Sequence, residues 1–264
     1  RLAQLAFVKD GKLCLPTGYL RDWPSTEWRG VHLFVGPNAE AFHRRLWRRV
    51  LLPMHYNKVV LQLERTDWKA APGIATRITM PKEALARLAS WYAGQQVELI
   101  PLIQSFGHME WLFENGKNLD IAFNPDVPYS VDPRKPRTNE LLGAIWDEAV
   151  DLLRPKTIHF GLDEVDMTGW PDDPQLVTDL WKLQLPALAK MAQKHRVEMM
   201  LWGDKALAPG EAPDAAHGDS PEHAEARRSV IPRGAYIADW HYKADPDPAV
   251  FTPSLDLWKR KGYS

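Results

Sequence analysis

Residues 157–164 read TIHFGLDE, a short apolar run that ends in two neighbouring carboxylates. The run is apolar almost throughout instead of alternating with polar residues, which is typical of a strand covered by helices on both faces of a parallel sheet. Five further runs of this kind lie between longer segments with helical spacing, at residues 31–35, 58–63, 97–103, 197–202 and 235–240. This alternation predicts an α/β fold with six parallel strands. The run at 157–162 is the fourth of these strands along the chain.

Apolar residues spaced three and four apart predict the helices between these strands. We expect them around residues 42–50, 81–92, 142–152, 173–191 and 255–259. Asp173 followed by Pro174 is a typical helix start, and Pro186 is expected to kink or split the helix that begins there. Two long stretches, 104–137 and 205–232, show neither pattern. Connections of that length in a compact domain are often functional.

The composition excludes several classes of function. Lys and Arg number 33 against 34 Asp and Glu, so the chain lacks the positive charge that a nucleic-acid partner requires. No run of eighteen apolar residues is present, so we expect no membrane span. The single cysteine, Cys14, excludes an internal disulfide and leaves the cellular compartment open. Twelve tryptophans, whose flat faces suit sugar rings, favour a carbohydrate ligand.

Ionisable and aromatic side chains follow the predicted strands at their carboxyl ends. The carboxyl ends of parallel strands converge on one face of a barrel, so these side chains are expected to meet there. A solvated loop would also be polar, but it does not call for tryptophan at several strand ends. The candidate substrate-binding residues are Glu64 and Asp67 after strand two, His108 after strand three, Trp202 and Asp204 after strand five, and Trp240 and Tyr242 after strand six.

Asp163 and Glu164 are the candidate catalytic pair. Adjacent residues just past a strand point in different directions, so one carboxylate can face the reacting centre while the other addresses another part of the substrate. Glu164, if apolar side chains wall it, suits the role of proton donor, and Asp163 would remain ionised beside a developing positive charge. Paired acids are common on surfaces, but the buried strand that precedes this pair favours an active site.

Two segments of the chain resemble glycoside hydrolase family 20, the β-N-acetylhexosaminidases. Residues 159–164, HFGLDE, are similar to the family signature H-x-G-G-D-E, and residues 97–108, VELIPLIQSFGH, are similar to V-x-V-I-P-E-x-x-x-P-G-H. Residues 28–30 and 56–58 resemble the segments before the first two strands. The resemblance covers residues 15–264 and implies a TIM (β/α)8-type barrel, which we expect to form one catalytic domain over residues 1–264, as a fragment of a longer chain or by itself.

The resemblance also implies a substrate-assisted retaining mechanism, with an N-acetylhexosamine-containing carbohydrate as partner and without cofactor or metal. The acetamido oxygen of the sugar would attack the anomeric carbon, with Asp163 orienting the acetamido group and stabilising the oxazolinium ion. Glu164 would protonate the leaving oxygen and then activate water. Trp202 and Trp240 would wall the sugar.

Two histidines match histidines of the family. His108 corresponds to the one that ends the strand-three motif and His159 to the one in strand four. Both are expected to hold the carboxylates in position. For His159, a core histidine with its hydrogen bonds satisfied is an equal alternative.

The chain departs from the family at the residues that read the non-reducing sugar. Residues 32–37, HLFVGP, contain no arginine where the family has one at the end of strand one. The strand-two acids are replaced by Gln62, Glu64 and Asp67, and the Pro-Glu of strand three reads Pro-Leu at 101–102. The last one or two strands of an eightfold barrel are not evident either. The sugar, the linkage, exo or endo action and the oligomeric state therefore stay open.

Three alternatives accompany this interpretation. A metal-dependent barrel hydrolase could use some of the histidines 32, 55, 108, 159 and 241, but the paired spacing of a zinc site is missing. A catalytically silent sugar-binding barrel would not need both Asp163 and Glu164. A double-displacement glycosidase of another family would use one of these carboxylates as the nucleophile.

Overall fold

The computed structural model describes residues 5–21, 23–167 and 173–263. An antiparallel pair, β1 (Phe7–Lys9) and β2 (Lys12–Cys14), precedes a parallel sheet of six strands that curls into a half-barrel. The strands of this sheet are β3 (Gly30–Phe34), β4 (Lys58–Gln62), β5 (Glu98–Leu102), β6 (Thr157–His159), β7 (Glu198–Trp202) and β8 (Tyr236–Ala238). They are hydrogen-bonded in chain order, with β3 and β8 at the two edges. The six predicted parallel strands are confirmed, and the hairpin was not predicted.

Helices connect the strands and cover the sheet. They are α1 (Ala39–Leu46), which continues as a π-helical turn over Trp47–Leu51, then α2 (Lys82–Gly94), α3 (Pro136–Leu153), α4 (Pro174–His195), α5 (Pro221–Arg228) and α6 (Thr252–Arg260). Asp173 caps α4, because its side chain accepts a hydrogen bond from the backbone N–H of Leu176 at 3.0 Å. Helix α4 runs through Pro186, so of the two expected effects, a kink or a split, the split is wrong. Helix α5 lies within the stretch 205–232, for which no helix was predicted.

The core lies between the sheet and the apolar faces of the helices. Leu85 and Leu88 of α2 and Trp146 of α3 are fully buried, as the helical spacing predicts. A buried side chain of this size contributes about 1.5–3 kcal/mol relative to an exposed one, so the helices are held to the sheet mainly by these faces. In the described ranges, no helix is both long enough and apolar enough to cross a membrane.

Candidate active site

A cavity of about 730 Å³ opens where the strands of the parallel sheet end. Its size suits a small ligand such as one or two sugar rings. The structure brings Glu64, His108, Asp163, Glu164, Trp202, Trp240 and Tyr242 together around it, with His32, Phe34, Gln62, Arg65, Glu110 and Trp111 completing the wall.

Three of the predicted residues do not line this cavity. Asp67 has an exposed side chain on the loop after β4, so the prediction that it contacts substrate is not supported by its position. Asp204 is fully buried behind the cavity wall. His159 is also fully buried, with its ring 4.6 Å from that of Trp202.

The turn after β6 determines the directions of the Asp163 and Glu164 side chains. Gly161, Leu162 and Glu164 all have left-handed backbone conformations, with φ of 73°, 81° and 46°. Glycine is required at 161, because a Cβ atom there would lie 1.8 Å from Oε1 of Gln104. The side chain of Gln104 therefore lies directly over the turn.

Gln104 holds both the turn and the first carboxylate. Its Oε1 accepts a hydrogen bond from the backbone N–H of Leu162 at 3.1 Å, and its Nε2 donates to Oδ1 of Asp163 at 2.6 Å. Gln104 was not among the predicted site residues. The signal available was its position as the first strongly polar residue after the third strand.

Asp163 lies deeper in the wall than Glu164. Burial raises the pKa of Asp163, whereas the hydrogen bond from Gln104 and the nearby His108 lower it. The side chain of Glu164 is 47% exposed, against 23% for Asp163. The role of proton donor was given to Glu164 on the condition that apolar side chains wall it, and its carboxyl group faces solvent at the mouth of the cavity.

His108 bridges the two carboxylates. Its Nε2 lies 3.3 Å from Oε2 of Glu164 and 3.6 Å from Oδ2 of Asp163. The hydroxyl of Tyr129 donates to the backbone carbonyl of Glu164 at 3.1 Å, so in its 3.1 Å contact with Nδ1 of His108 the hydroxyl is the acceptor. The imidazole of His108 therefore contacts both carboxylates at the cavity.

His159 does not hold the carboxylates, contrary to the expectation drawn from the resemblance. Its Nδ1 accepts a hydrogen bond from the backbone N–H of Gly161 at 3.0 Å, and burial lowers its pKa far enough to keep the ring neutral. Its ring packs against Trp202. His159 therefore supports the turn and the aromatic wall instead of the acids themselves.

The far wall of the cavity carries a chain of polar side chains where the family has its arginine. Oε1 of Gln62 contacts Nε2 of His32 at 2.9 Å, and Nε2 of Gln62 donates to Oε1 of Glu64 at 3.2 Å. The same oxygen of Glu64 accepts the backbone N–H of Gln104 at 2.8 Å. Burial raises the pKa of Glu64 to about 7. Hydrogen-bonding side chains form this wall, and Arg65, the residue after Glu64, also lines the cavity.

Aromatic rings form the remaining walls. The rings of Trp240 and Tyr242 lie 4.8 Å apart, and His217 contacts Trp240 edge-on at 5.5 Å. Trp202, at the end of β7, also lines the cavity. Such flat faces suit the apolar faces of sugar rings. Among the described residues, no group of three or more His, Cys, Asp or Glu side chains is arranged to hold a metal ion.

The fold and this cavity define the class of the chain: a parallel βα protein with an acidic, aromatic-walled site at the carboxyl ends of its strands. Comparison with known proteins shows what the chain is similar to. No protein-family model matches the chain. It is 28% identical over 180 residues to Hexosaminidase D of Homo sapiens and 27% identical over 175 residues to Hexosaminidase D of Bos taurus. These matches cover 64% of this chain and 34% and 49% of the two relatives, so the chain spans between a third and a half of their length.

Solved structures of similar fold come from glycoside hydrolase family 20. The chitobiase of Flavobacterium johnsoniae superimposes with a TM-score of 0.71 at 18% identity, covering 99% of this chain and 41% of that one. A family 20 β-N-acetylhexosaminidase from Streptomyces coelicolor gives a TM-score of 0.63 at 15% identity, covering 90% and 47%. The resemblance to glycoside hydrolase family 20 is thereby confirmed.

Proposed function

We propose that this chain is a glycoside hydrolase that removes β-linked N-acetylhexosamine by a substrate-assisted retaining mechanism. The observation that carries the proposal is the pair Asp163 and Glu164 at one cavity, with Nε2 of His108 within 3.6 Å of both carboxylates. A site built only to bind sugar has no need for two carboxylates on one histidine.

Asp163 acts on the acetamido group. Its buried carboxylate is fixed by Gln104, so one oxygen remains to accept the N–H of the acetamido group and to turn the carbonyl oxygen toward the anomeric carbon. As the oxazolinium ring forms, its positive charge favours the ionised form of Asp163 and offsets the cost of burial. No enzyme carboxylate bonds to the sugar in this scheme.

Glu164 acts on the leaving group. Its exposed carboxyl group at the cavity mouth can give a proton to the departing oxygen and regain it from the water that attacks the oxazolinium ion. His108 supports this exchange through its contacts with Glu164 and Asp163. Trp202 and Trp240 hold the sugar ring between them.

We further propose that the six βα units form part of a (β/α)8 TIM barrel, within one catalytic domain over residues 1–264. Among the described residues, β3 and β8 each pair with a neighbour on one side only, and this supports the proposal, because a parallel sheet with this curl closes when two more strands join the edges. In the closed barrel, the six strand ends described here would still form part of the site.

The proposed activity is tested with three 4-nitrophenyl glycosides: the N-acetyl-β-glucosaminide, the N-acetyl-β-galactosaminide and the plain β-glucoside. Cleavage of either acetamido sugar without cleavage of the glucoside is the expected result, because the nucleophile belongs to the acetamido group. If N-acetylglucosamine binds and none of the three glycosides is cleaved, the chain is a sugar-binding barrel instead.

The mechanism is tested through Asp163→Asn. The substitution keeps the size but removes the charge, so kcat should fall by about 10²–10³ while KM changes little. A thiazoline mimic of the cyclic intermediate should bind the unaltered protein more tightly than substrate does, and bind Asp163→Asn poorly. Asp166→Asn, an exposed acid three residues further along, is the matched control. Covalent trapping of a fluorosugar on a carboxylate would instead show double displacement.

A further inference from the structure

Asp204 lies directly behind the proposed acid. Strand β7 ends at Trp202, and the short 3-10 turn Asp204–Ala206 follows. The side chain of Asp204 is completely buried, and its Oδ2 accepts a hydrogen bond from the backbone N–H of Glu164 at 2.8 Å. Asp204 was predicted to contact substrate, but it faces the main chain of the acid.

The main chain of Glu164 needs such support. Its φ of 46° is left-handed, a conformation that non-glycine residues adopt only when their surroundings hold them there. The backbone N–H of Glu164 donates to the carboxylate of Asp204, and the backbone carbonyl of Glu164 accepts a hydrogen bond from the hydroxyl of Tyr129. The direction of the Glu164 side chain is therefore set by two hydrogen bonds to its own backbone.

His217 links this support to the aromatic wall. Its Nδ1 lies 3.2 Å from the same Oδ2 of Asp204, and its backbone N–H donates to the backbone carbonyl of Asp204 at 2.9 Å. The imidazole edge packs against Trp240. One side chain thus touches both the residue that holds the acid and the ring that would hold the sugar.

We propose that Asp204 and His217 are positioning residues: Asp204 fixes Glu164 in its left-handed conformation, and His217 fixes Asp204 and Trp240 relative to each other. The consequence for the reaction rests on the proposed function. The acid and the sugar-stacking ring are carried on different strands, β6 and β8, and this pair is a direct connection between them.

The charges around the imidazole are consistent with a His217–Asp204 ion pair. The hydrogen bond to Asp204 raises the pKa of His217 above its usual value, and burial opposes this rise. The charge of Lys205 also lowers this pKa, whereas that of Glu164 raises it. The other ionisable side chains that share the small cavity beside His217 are Tyr129, Asp166 and Asp219.

Two substitutions of His217 separate its two contacts. His217→Phe keeps an aromatic edge against Trp240 but removes the hydrogen bond to Asp204, so kcat should fall with KM unchanged. The fall should approach 10²-fold for N,N′-diacetylchitobiose, whose leaving group needs a proton, and be smaller for the 4-nitrophenyl glycoside. His217→Gln keeps a donor for Asp204 but loses the ring, so KM should rise more than kcat falls. His195→Gln is the control, because His195 pairs with Asp147 at 2.8 Å near the end of α4.

An NMR titration of wild type and Asp204→Asn tests the contact between Asp204 and His217 without any substrate. In Asp204→Asn the amide proton of Glu164 should move upfield, because an amide oxygen is a weaker acceptor than a carboxylate, and the titration midpoint of His217 should fall. Wild-type protein that cleaves neither substrate would overturn the proposed function, and the NMR result then decides this inference alone. An unmoved Glu164 amide and an unmoved His217 midpoint overturn it, as does His217→Phe with wild-type kcat on both substrates.

Discussion

Glu64 gives a prediction in which the pH sets the size of the effect. Burial raises the pKa of its carboxyl from 4.5 to about 7, so ionising it within the fold costs about 3 kcal/mol relative to the unfolded chain. Below pH 4.5 the group is neutral in both states and its full contribution to stability is present. Between pH 4.5 and 7 the unfolded chain loses the proton first, and above pH 7 the native state bears the whole cost. Stability is thus lost as the pH rises.

Glu64→Gln removes this titration. The free energy of unfolding of the variant, minus that of the wild type, should therefore increase by about 3 kcal/mol between pH 4.5 and pH 8. Urea unfolding at four pH values across this range measures the difference. Any constant offset from the new amide group is the same at each pH. Thr66→Val is the control, because Thr66 is buried two residues after Glu64 and has no ionisable group. The difference in free energy of unfolding between this variant and wild type should not vary with pH.

A difference between Glu64→Gln and wild type that stays constant across the range would refute this reasoning. It would mean that the hydrogen bonds from the backbone of Gln104 and the side chain of Gln62 stabilise the carboxylate enough to cancel the cost of burial. A difference that shrinks with rising pH would mean that they exceed it.

Three further predictions concern the acid, the turn that carries it and a helix remote from it. Glu164→Gln should lower kcat by about 10²–10⁴ for N,N′-diacetylchitobiose and by less for the 4-nitrophenyl glycoside, and equal losses would count against its role as acid. Gly161→Ala should lower both the free energy of unfolding, by about 2 kcal/mol or more, and kcat, since the added methyl displaces Gln104; unchanged melting would contradict this. Asp173→Ala should cost about 1 kcal/mol in urea unfolding through loss of the α4 cap, with activity retained.

The strands were predictable because short, nearly continuous apolar runs leave a local signal in the sequence, even in β3 and β8, which are exposed or only partly buried. Helix α5 was not, because it has almost no apolar face. Arg227 and Arg228 fill its buried side, and their charges are met by Asp219 and Glu211. A helix whose buried side is stabilised by ion pairs cannot be predicted from the spacing of apolar residues. The remaining signal was the start of the helix, where Ser220 accepts a hydrogen bond from the backbone N–H of His223.

The expectation that side chains after the parallel strands meet on one face predicted most residues around the cavity. It did not predict how buried each of these side chains is. The relative exposure of Asp163 and Glu164 was not predicted. The sign of φ at each residue of the turn decides which carboxylate points inward, and this depends on Asp204 and Tyr129, which are distant in sequence. His217 was missed for a similar reason, because it lies in an irregular stretch and acts only through Asp204.

Gln104 explains why two acids can be buried in the same wall. Its backbone N–H donates to Glu64 and its side-chain amide donates to Asp163, so one residue satisfies an oxygen of each. Burial is the main cause of the raised pKa of Glu64, and the charge of Asp163 adds to it. A proton on Glu64 removes a negative charge from the wall beside Asp163, whose own charge the developing positive charge of the proposed oxazolinium ion would need.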